Sequence, residues 1–331
     1  MTSAMSETTG AQSGASSVAG SVTAKMRRTR VLVHGLVYFG SVFADFMNCQ
    51  GWDFRYYPDS GLRNLAPMLR HLAAADLVYQ LGGRLSQGKF LKAARALGKS
   101  KIVMHWLGSD TLDEFRVSGW DNADPWVLHT IEHWAESEWI AEEVRLLGAS
   151  CKVVPFPSPR IPATPSPLPA EFRVLVYMPT LERSALYGFD QILAVARDLP
   201  DVPFELVGLL DGPLLDLPPN LRAHGRISDL REFYMKSTVV WRPARHDGVS
   251  WMVLEALGHG RHVLWSYPFP GCTHVASASH AREQIARLNM LHTAGRLAPN
   301  DLGAEFIERS GYQPEAMRRT TCARFKEVLA S

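Results

Sequence analysis

The stretch TVVWRPARHDGVSWMVLEALGHG, residues 238–260, decides how the second half of this chain folds. Residues 238–243 read as a buried strand, Pro243 stops it, and Gly248 marks a turn. Ser250 then stands where a helix N-cap belongs, because a serine oxygen can accept a free first-turn amide, and the helix runs to Ala256–Gly258. Two carboxylates, Asp247 and Glu255, lie eight positions apart around that helix start. The amides of Gly248, Val249 and Ser250, with the positive end of the helix dipole, suit a diphosphate. Glu255, just over a turn further on, is placed to accept both hydroxyls of a ribose, and Asp247 to bind hydroxyls of an attached sugar. A capped helix with a solvated Glu255 would not by itself need glycine at 248, 258 and 260.

Outward from this run, strand-like and helix-like segments alternate. Upstream come FRVLVYMP, FDQILAVARDL, PFELVGLL, NLRAHGRI and DLREFYMKS, and HVLWSYP follows. The first half repeats the pattern from Arg30 with RVLVHGLV, SVFADFMNCQ, WDFRYYP, NLAPMLRHLAAA, DLVYQL, KFLKAARALG, KIVMHWLG, HWAESE, WIAEEVRLLG and KVVPFP. Strands separated by helix-sized segments imply right-handed βαβ units and a doubly wound parallel sheet. The two halves meet at PFPSPRIPATPSPLP, whose seven prolines suit neither helix nor central strand and read as a semi-rigid spacer. The expected organisation is a disordered tail over 1–26, a Rossmann-like domain over 27–158, a proline-rich linker over 159–170 and a second Rossmann-like domain over 171–300. Terminal helices over 301–331 would pack back towards the first domain. The fold class is α/β, with two such domains facing across a cleft at the carboxyl ends of their strands.

Composition narrows the function. A net charge of +2 and the absence of zinc-finger or aromatic RNA-binding motifs argue against nucleic acid as a partner. Cys49, Cys151, Cys272 and Cys322 form no CxxC pair, so neither a zinc site nor a disulfide framework is suggested and a reducing, cytoplasmic setting fits. No run approaches the roughly 18 to 20 apolar residues of a membrane span. Residues 1–25, rich in Ser, Ala, Thr and Gly, have no apolar core for a secretory signal, and Met26 is a candidate functional start.

The wording DGVSWMVLEALGHG resembles the Glu-x7-Glu signature of retaining GT-B glycosyltransferases of the family-4 type, with Asp247 at the first Glu. WAESEWIAEEVRLLGA and HGRISDLREFYMKSTVVWRP are similar to further segments of that family, so the resemblance spans nearly all of the chain after residue 26. It implies transfer of a sugar from a nucleoside-diphosphate sugar to an acceptor hydroxyl on a glycan, lipid or small molecule, with retention and no resident cofactor. Charge develops on the departing diphosphate, so cations aimed at it should carry most of the catalysis. No Asp-x-Asp occurs in the chain, and metal-independent catalysis is expected.

The family's usual Arg and Lys are displaced here. In VYMPTLERSALYGFD, Tyr187 stands at the expected Lys and the Arg falls at Arg183. Arg183, with Arg242 or Arg245 beside the carboxylate motif, is expected to face the diphosphate, since a guanidinium binds phosphate oxygens bidentately. In the first domain, Gly40 and Ser41 follow a strand and are expected to bring amides to the donor phosphates. The resemblance places His105, at the end of KIVMHWLG, against the donor sugar, and Asp110 on the acceptor side. Lys89, Lys92, Arg95, Lys99 and Lys101 make one helix basic, with Phe90, Leu91, Ala94 and Leu97 opposite, a pattern open to two readings: a packed helix, or peripheral contact with anionic lipid at the inner membrane face. A nucleotide-sugar epimerase or hydrolase, or a non-catalytic binding protein on the same fold, are the alternatives.

Overall fold

The computed structural model describes residues 27–58, 62–117, 123–209 and 216–331, so the tail expected over 1–26 lies outside the described residues. The apolar runs of the first half become β1 (Thr29–Gly35), β2 (Trp52–Tyr57), β3 (Leu77–Leu81), β4 (Ile102–Trp106), β5 (Glu132–Ala135) and β6 (Cys151–Val153). They pair in parallel in the order β2-β1-β3-β4-β5-β6. LVYQL and IVMHW are buried at every position, as central strands covered on both faces must be. The covering helices are α1 (Val37–Met47), α2 (Leu62–Ala74), α3 (Lys89–Ala96), α4 (Ser109–Val117), α5 (Pro125–Thr130) and α6 (Glu138–Leu146). Local chemistry sets several of their starts: the Asp124 carboxylate accepts the Trp126 amide ahead of Pro125, and the Ser137 hydroxyl accepts the Ile140 amide.

The second half forms β7 (Val174–Tyr177), β8 (Phe204–Val207), β9 (Leu221–Ala223), β10 (Val239–Arg242), β11 (His262–Trp265) and β12 (Cys272–His274), again all parallel, in the order β12-β11-β10-β7-β8-β9. Its helices are α7 (Phe189–Asp198), α8 (Arg231–Lys236), α9 (Trp251–Gly258), α10 (Ala278–Thr293), α11 (Asp301–Arg309) and α12 (Pro314–Ala330). The sequence reading did not anticipate β12 or α10. β12 is three residues long and two of them are exposed, so it carries almost no periodicity. α10 did leave a signal: Ser277 caps it, and Ala281, Ile285 and Leu288 form its buried stripe.

The proline-rich segment is extended but packed, and it differs in this from a spacer. Phe156, Ser158 and Ile161 are buried. The Arg261 guanidinium, itself inaccessible, donates to the carbonyls of Ser166 and Pro167 at 2.8 Å each. Gly258 and Gly260 lie under this strap: a Cβ on Gly258 would fall 2.8 Å from Ile161, and one on Gly260 3.0 Å from Pro165. Those two glycines therefore answer to the linker, whereas Gly248 packs against Glu136 and Leu107 of the first domain.

The terminal helices divide. α11 packs against α9 of the second domain, whereas α12 crosses to the first, where Phe325 is fully buried among Trp52, Phe54, Tyr79 and Trp134. Phe325→Ala is expected to cost about 3–5 kcal/mol of stability, because the aromatic cluster around it cannot collapse into the hole. A melting experiment on the variant checks this. No helix among the described residues is long and apolar enough to cross a membrane.

Candidate active site

Each sheet has a point where neighbouring strands send the chain in opposite directions, between β1 and β3 and between β7 and β10. Loops diverge there and leave a crevice at the strands' carboxyl ends. The segments after β1, β4, β7 and β10 together line an interdomain cavity of about 550 Å³. From the second domain come Arg183, Tyr187, Arg242, His246, Asp247, Val249, Ser250 and Glu255; from the first, Tyr38, Asp110 and Glu136.

Asp247 is held by Arg242. The guanidinium donates from Nε and Nη2 to the two carboxylate oxygens, the second bond at 2.9 Å, and both side chains are largely buried. Trp265 Nε1 adds a bond to Oδ2 at 3.3 Å. The guanidinium also lies 5.6 Å from the Tyr177 ring centroid and 5.3 Å from that of Tyr187, which gives Tyr187 a role the sequence did not show. Burial works against the Arg242 charge, but the Asp247 carboxylate outweighs it and holds the group above its ordinary pKa. The pair presents a fixed, net-neutral polar wall.

Glu255 lies on α9 with its two oxygens taking hydrogen bonds from Ser158 Oγ at 2.9 Å and Tyr234 OH at 3.0 Å. Burial pushes its carboxyl up to about 7, against those two bonds and the charge of Arg160. Each carboxylate oxygen has a further lone pair, so the group can still accept from a ligand in the cavity.

The domains touch along a polar seam beside these residues. Trp139 Nε1 donates to the Asp247 carbonyl at 2.8 Å, and His246 Nε2 lies 3.0 Å from both Glu143 oxygens. Arg183 reaches across to Ser109 Oγ at 3.0 Å and Asp113 at 3.2 Å. Burial works against the Glu143 charge, yet bonds from His246 and Thr111 hold its carboxyl below the ordinary Glu value. Gly248 fills the tightest point: a Cβ there would overlap Glu136 Oε1 and lie 2.9 Å from the Leu107 carbonyl oxygen. Gly248→Ala is expected to prop this seam open, with a penalty of about 1–3 kcal/mol for the overpacked contact. Small-angle scattering should show an expanded particle; an unchanged one would contradict the packing.

Several expected site residues fall elsewhere. His105 is in the core of β4, where its Nδ1 meets Tyr79 OH at 2.5 Å and its ring packs on Trp134 and Phe156. Burial drives its pKa down to about 3, so it is a neutral core group, and Leu107, two residues on, lines the cavity instead. Gly40 and Ser41 are inside α1, which starts at Val37: the Gly40 amide already donates to Leu36 and the Ser41 hydroxyl to Val37. Leu36, Val37, Tyr38 and Phe39 line the cavity in their place. Arg245 pairs with Asp190 at 2.7 Å, outside the cavity lining. Ser250 occupies the N-cap of α9, but its hydroxyl makes no cap bond there. Asp110 does line the cavity, though its carboxylate takes the amides of Gly83 at 2.7 Å and Leu107 at 3.1 Å, and burial raises it to about 6.

Sequence reading missed Arg160, Arg226, Glu136, His246 and Trp251. Arg160 comes from the proline-rich strap and donates to Tyr38 OH at 2.7 Å, while Arg226 lines the same end of the cavity. Only the fold brings these segments together. Trp251, the first residue of α9, stacks on Phe156 at 5.2 Å and so carries the second domain's helix start into the first domain's core. A second cavity of about 650 Å³ opens near the amino ends of β7 and β10. Its lining holds Arg173 and His224, both paired with Glu205, and comes entirely from the second domain and the end of the linker.

No family model matches this chain, and no curated protein matches it. Solved structures do share its fold. Sucrose-phosphate synthase from Thermosynechococcus elongatus superposes with a TM-score of 0.66 over 92% of this chain and 100% of that one, at 13% identity. The HepE protein of Anabaena, in complex with UDP-glucose, gives 0.64 over 91% and 99%, at 14% identity. The lipopolysaccharide outer core galactosyltransferase WaaB gives 0.56 over 90% and 99%, at 14% identity. The fold of this chain is GT-B: two Rossmann-like parallel-sheet domains facing across a cleft.

Proposed function

We propose that this protein is a glycosyltransferase that moves a sugar from a nucleoside-diphosphate sugar to an acceptor hydroxyl. One observation carries the reading: Asp247 and Glu255, from the turn and the helix after β10, line the same interdomain cavity as the guanidinium of Arg242. Glu255 would accept the ribose hydroxyls. The α9 amides at Trp251 and Met252 and the guanidinium of Arg183, joined by Arg160 and Arg226, would take the diphosphate, with the Asp247–Arg242 pair against the sugar. In the transfer, the bond from the sugar's anomeric carbon to the phosphate oxygen breaks and a bond to the acceptor oxygen forms. The acceptor proton passes to the departing phosphate, and retention of configuration is proposed on the family resemblance. Arginines that neutralise the leaving group without a metal ion fit a chain with no Asp-x-Asp.

Calorimetry with UDP-, GDP-, ADP- and TDP-sugars tests the reading, and UDP-glucose, the ligand of HepE, is the first probe. Binding to none of them would sink it. Complete turnover of a sugar nucleotide without acceptor would instead point to an epimerase or hydrolase. Full activity in a chelator and an unchanged anomeric configuration in the product are the outcomes expected for the metal-free, retaining form. In α3, Phe90, Leu91 and Ala94 are buried in the first domain's core, so that helix is packed as the first of the two readings expects. Peripheral membrane contact belongs to the same proposal only through the basic face of α3, exposed Leu97, and exposed Leu65 and Leu69 on neighbouring α2. Unchanged sedimentation with anionic liposomes would remove that part.

A further inference from the structure

Glu136 directly follows β5, just ahead of the residue that caps α6, and is 5% exposed. It belongs to the first domain, yet its carboxyl lies directly on Gly248 of the second, with the Val249 amide turned toward it. The groups that face it are the Asp247 carboxylate from the turn after β10, Asp110 from α4 and Arg242 from β10, with the hydroxyls of Tyr79 and Tyr312 further off. Arg242 is already engaged by Asp247. A second negative charge here would be buried beside Asp247 with no cation of its own, and among the described residues no three such groups are placed to hold a metal ion.

We propose that Glu136 is an uncharged positioning residue of the donor site, a carboxylic acid that holds the Gly248–Val249 turn in the shape that receives the diphosphate-linked sugar. The inference rests on the proposed donor site. It also gives the first domain a part in donor recognition, because the contact joins the two domains. Burial, then the charges of Asp247 and Asp110, push the Glu136 carboxyl well above the ordinary Glu range, which matches the uncharged form. As an acid, the group can accept the Val249 amide and still donate a proton of its own. As an anion it would stand against both Asp247 and an incoming diphosphate.

Glu136→Gln and Glu136→Leu separate these roles. The amide keeps shape, acceptor and donor without titrating, so Glu136→Gln should bind UDP-glucose as wild type does near pH 6. As pH rises, wild type should weaken relative to Glu136→Gln by on the order of tenfold, the usual effect of a like charge in contact. Glu136→Leu removes the acceptor and should bind more weakly at every pH. A melting series adds a readout independent of the donor. A carboxyl whose folded pKa is raised binds a proton that the unfolded chain has released, so its stabilisation is full at low pH and lost as pH rises through the folded value. The melting temperature of Glu136→Gln should therefore gain on wild type as pH rises above the ordinary carboxylate range. A constant melting gap, or an affinity ratio that does not change with pH, overturns the inference while leaving the donor reading intact. Absence of sugar-nucleotide binding by wild type across the panel overturns both.

Discussion

Glu255→Gln is expected to weaken donor binding by on the order of ten- to a hundredfold, the loss of two charge-assisted hydrogen bonds to ribose hydroxyls. The protein should still fold, because the amide oxygen and nitrogen sit where Ser158 and Tyr234 now meet the carboxylate. The pH dependence distinguishes this account from a packing defect. Glu255 is raised to about 7, so below that value it is protonated and its hydrogen bonds to ribose are the weaker, neutral kind. The affinity advantage of wild type over Glu255→Gln should therefore grow as pH climbs through about 7. Titration calorimetry at three or four pH values measures that ratio, and a ratio independent of pH would contradict a ribose contact by this carboxylate.

The second large effect is at the buried pair. Arg242→Met leaves Asp247 as a largely buried charge without its cation, and such a break costs about 3–5 kcal/mol. For a protein of this size the melting temperature should fall by about 4–7 °C. The double variant Arg242→Met with Asp247→Leu removes both charges, and replacing a buried pair by apolar groups is often close to neutral. It should recover most of the lost stability but none of the donor binding. Recovery of both would show that the pair serves the fold alone; recovery of neither would show that the turn after β10 depends on the ion pair for its shape.

Most of the fold was legible because it is written in local patterns. Short apolar runs such as LVYQL and IVMHW, bounded by turn residues, fit a strand covered on both faces, and the alternation with helices favours parallel sheets. The site was legible in part. Asp247, Glu255, Arg242, Val249, Ser250 and Arg183 all come to the cavity because the end of β10 with the turn and helix after it, and the loop after β7, meet at the β7/β10 divergence. Gly40 and Ser41 missed it because α1 begins at Val37, four residues before the position assumed from Ser41, and so consumes the amides they were expected to offer. His105 missed it because β4 ends at Trp106: alternation along the strand turns that ring into the core, and the chain first reaches the cavity at Leu107.

What the sequence determined by itself is the pair of parallel sheets and the acidic turn-and-helix after β10, since both follow from patterns a few residues long that hold in any surroundings. What only the tertiary structure decided is which side chains face that turn. Glu136, Tyr38 and Arg160 lie 111, 209 and 87 positions from Asp247 along the chain, and their roles depend on how the closed cleft desolvates and pairs their charges. Hydrophobic periodicity acts over one turn or one strand, whereas desolvation and charge pairing act through space, and no pattern local to those residues records them.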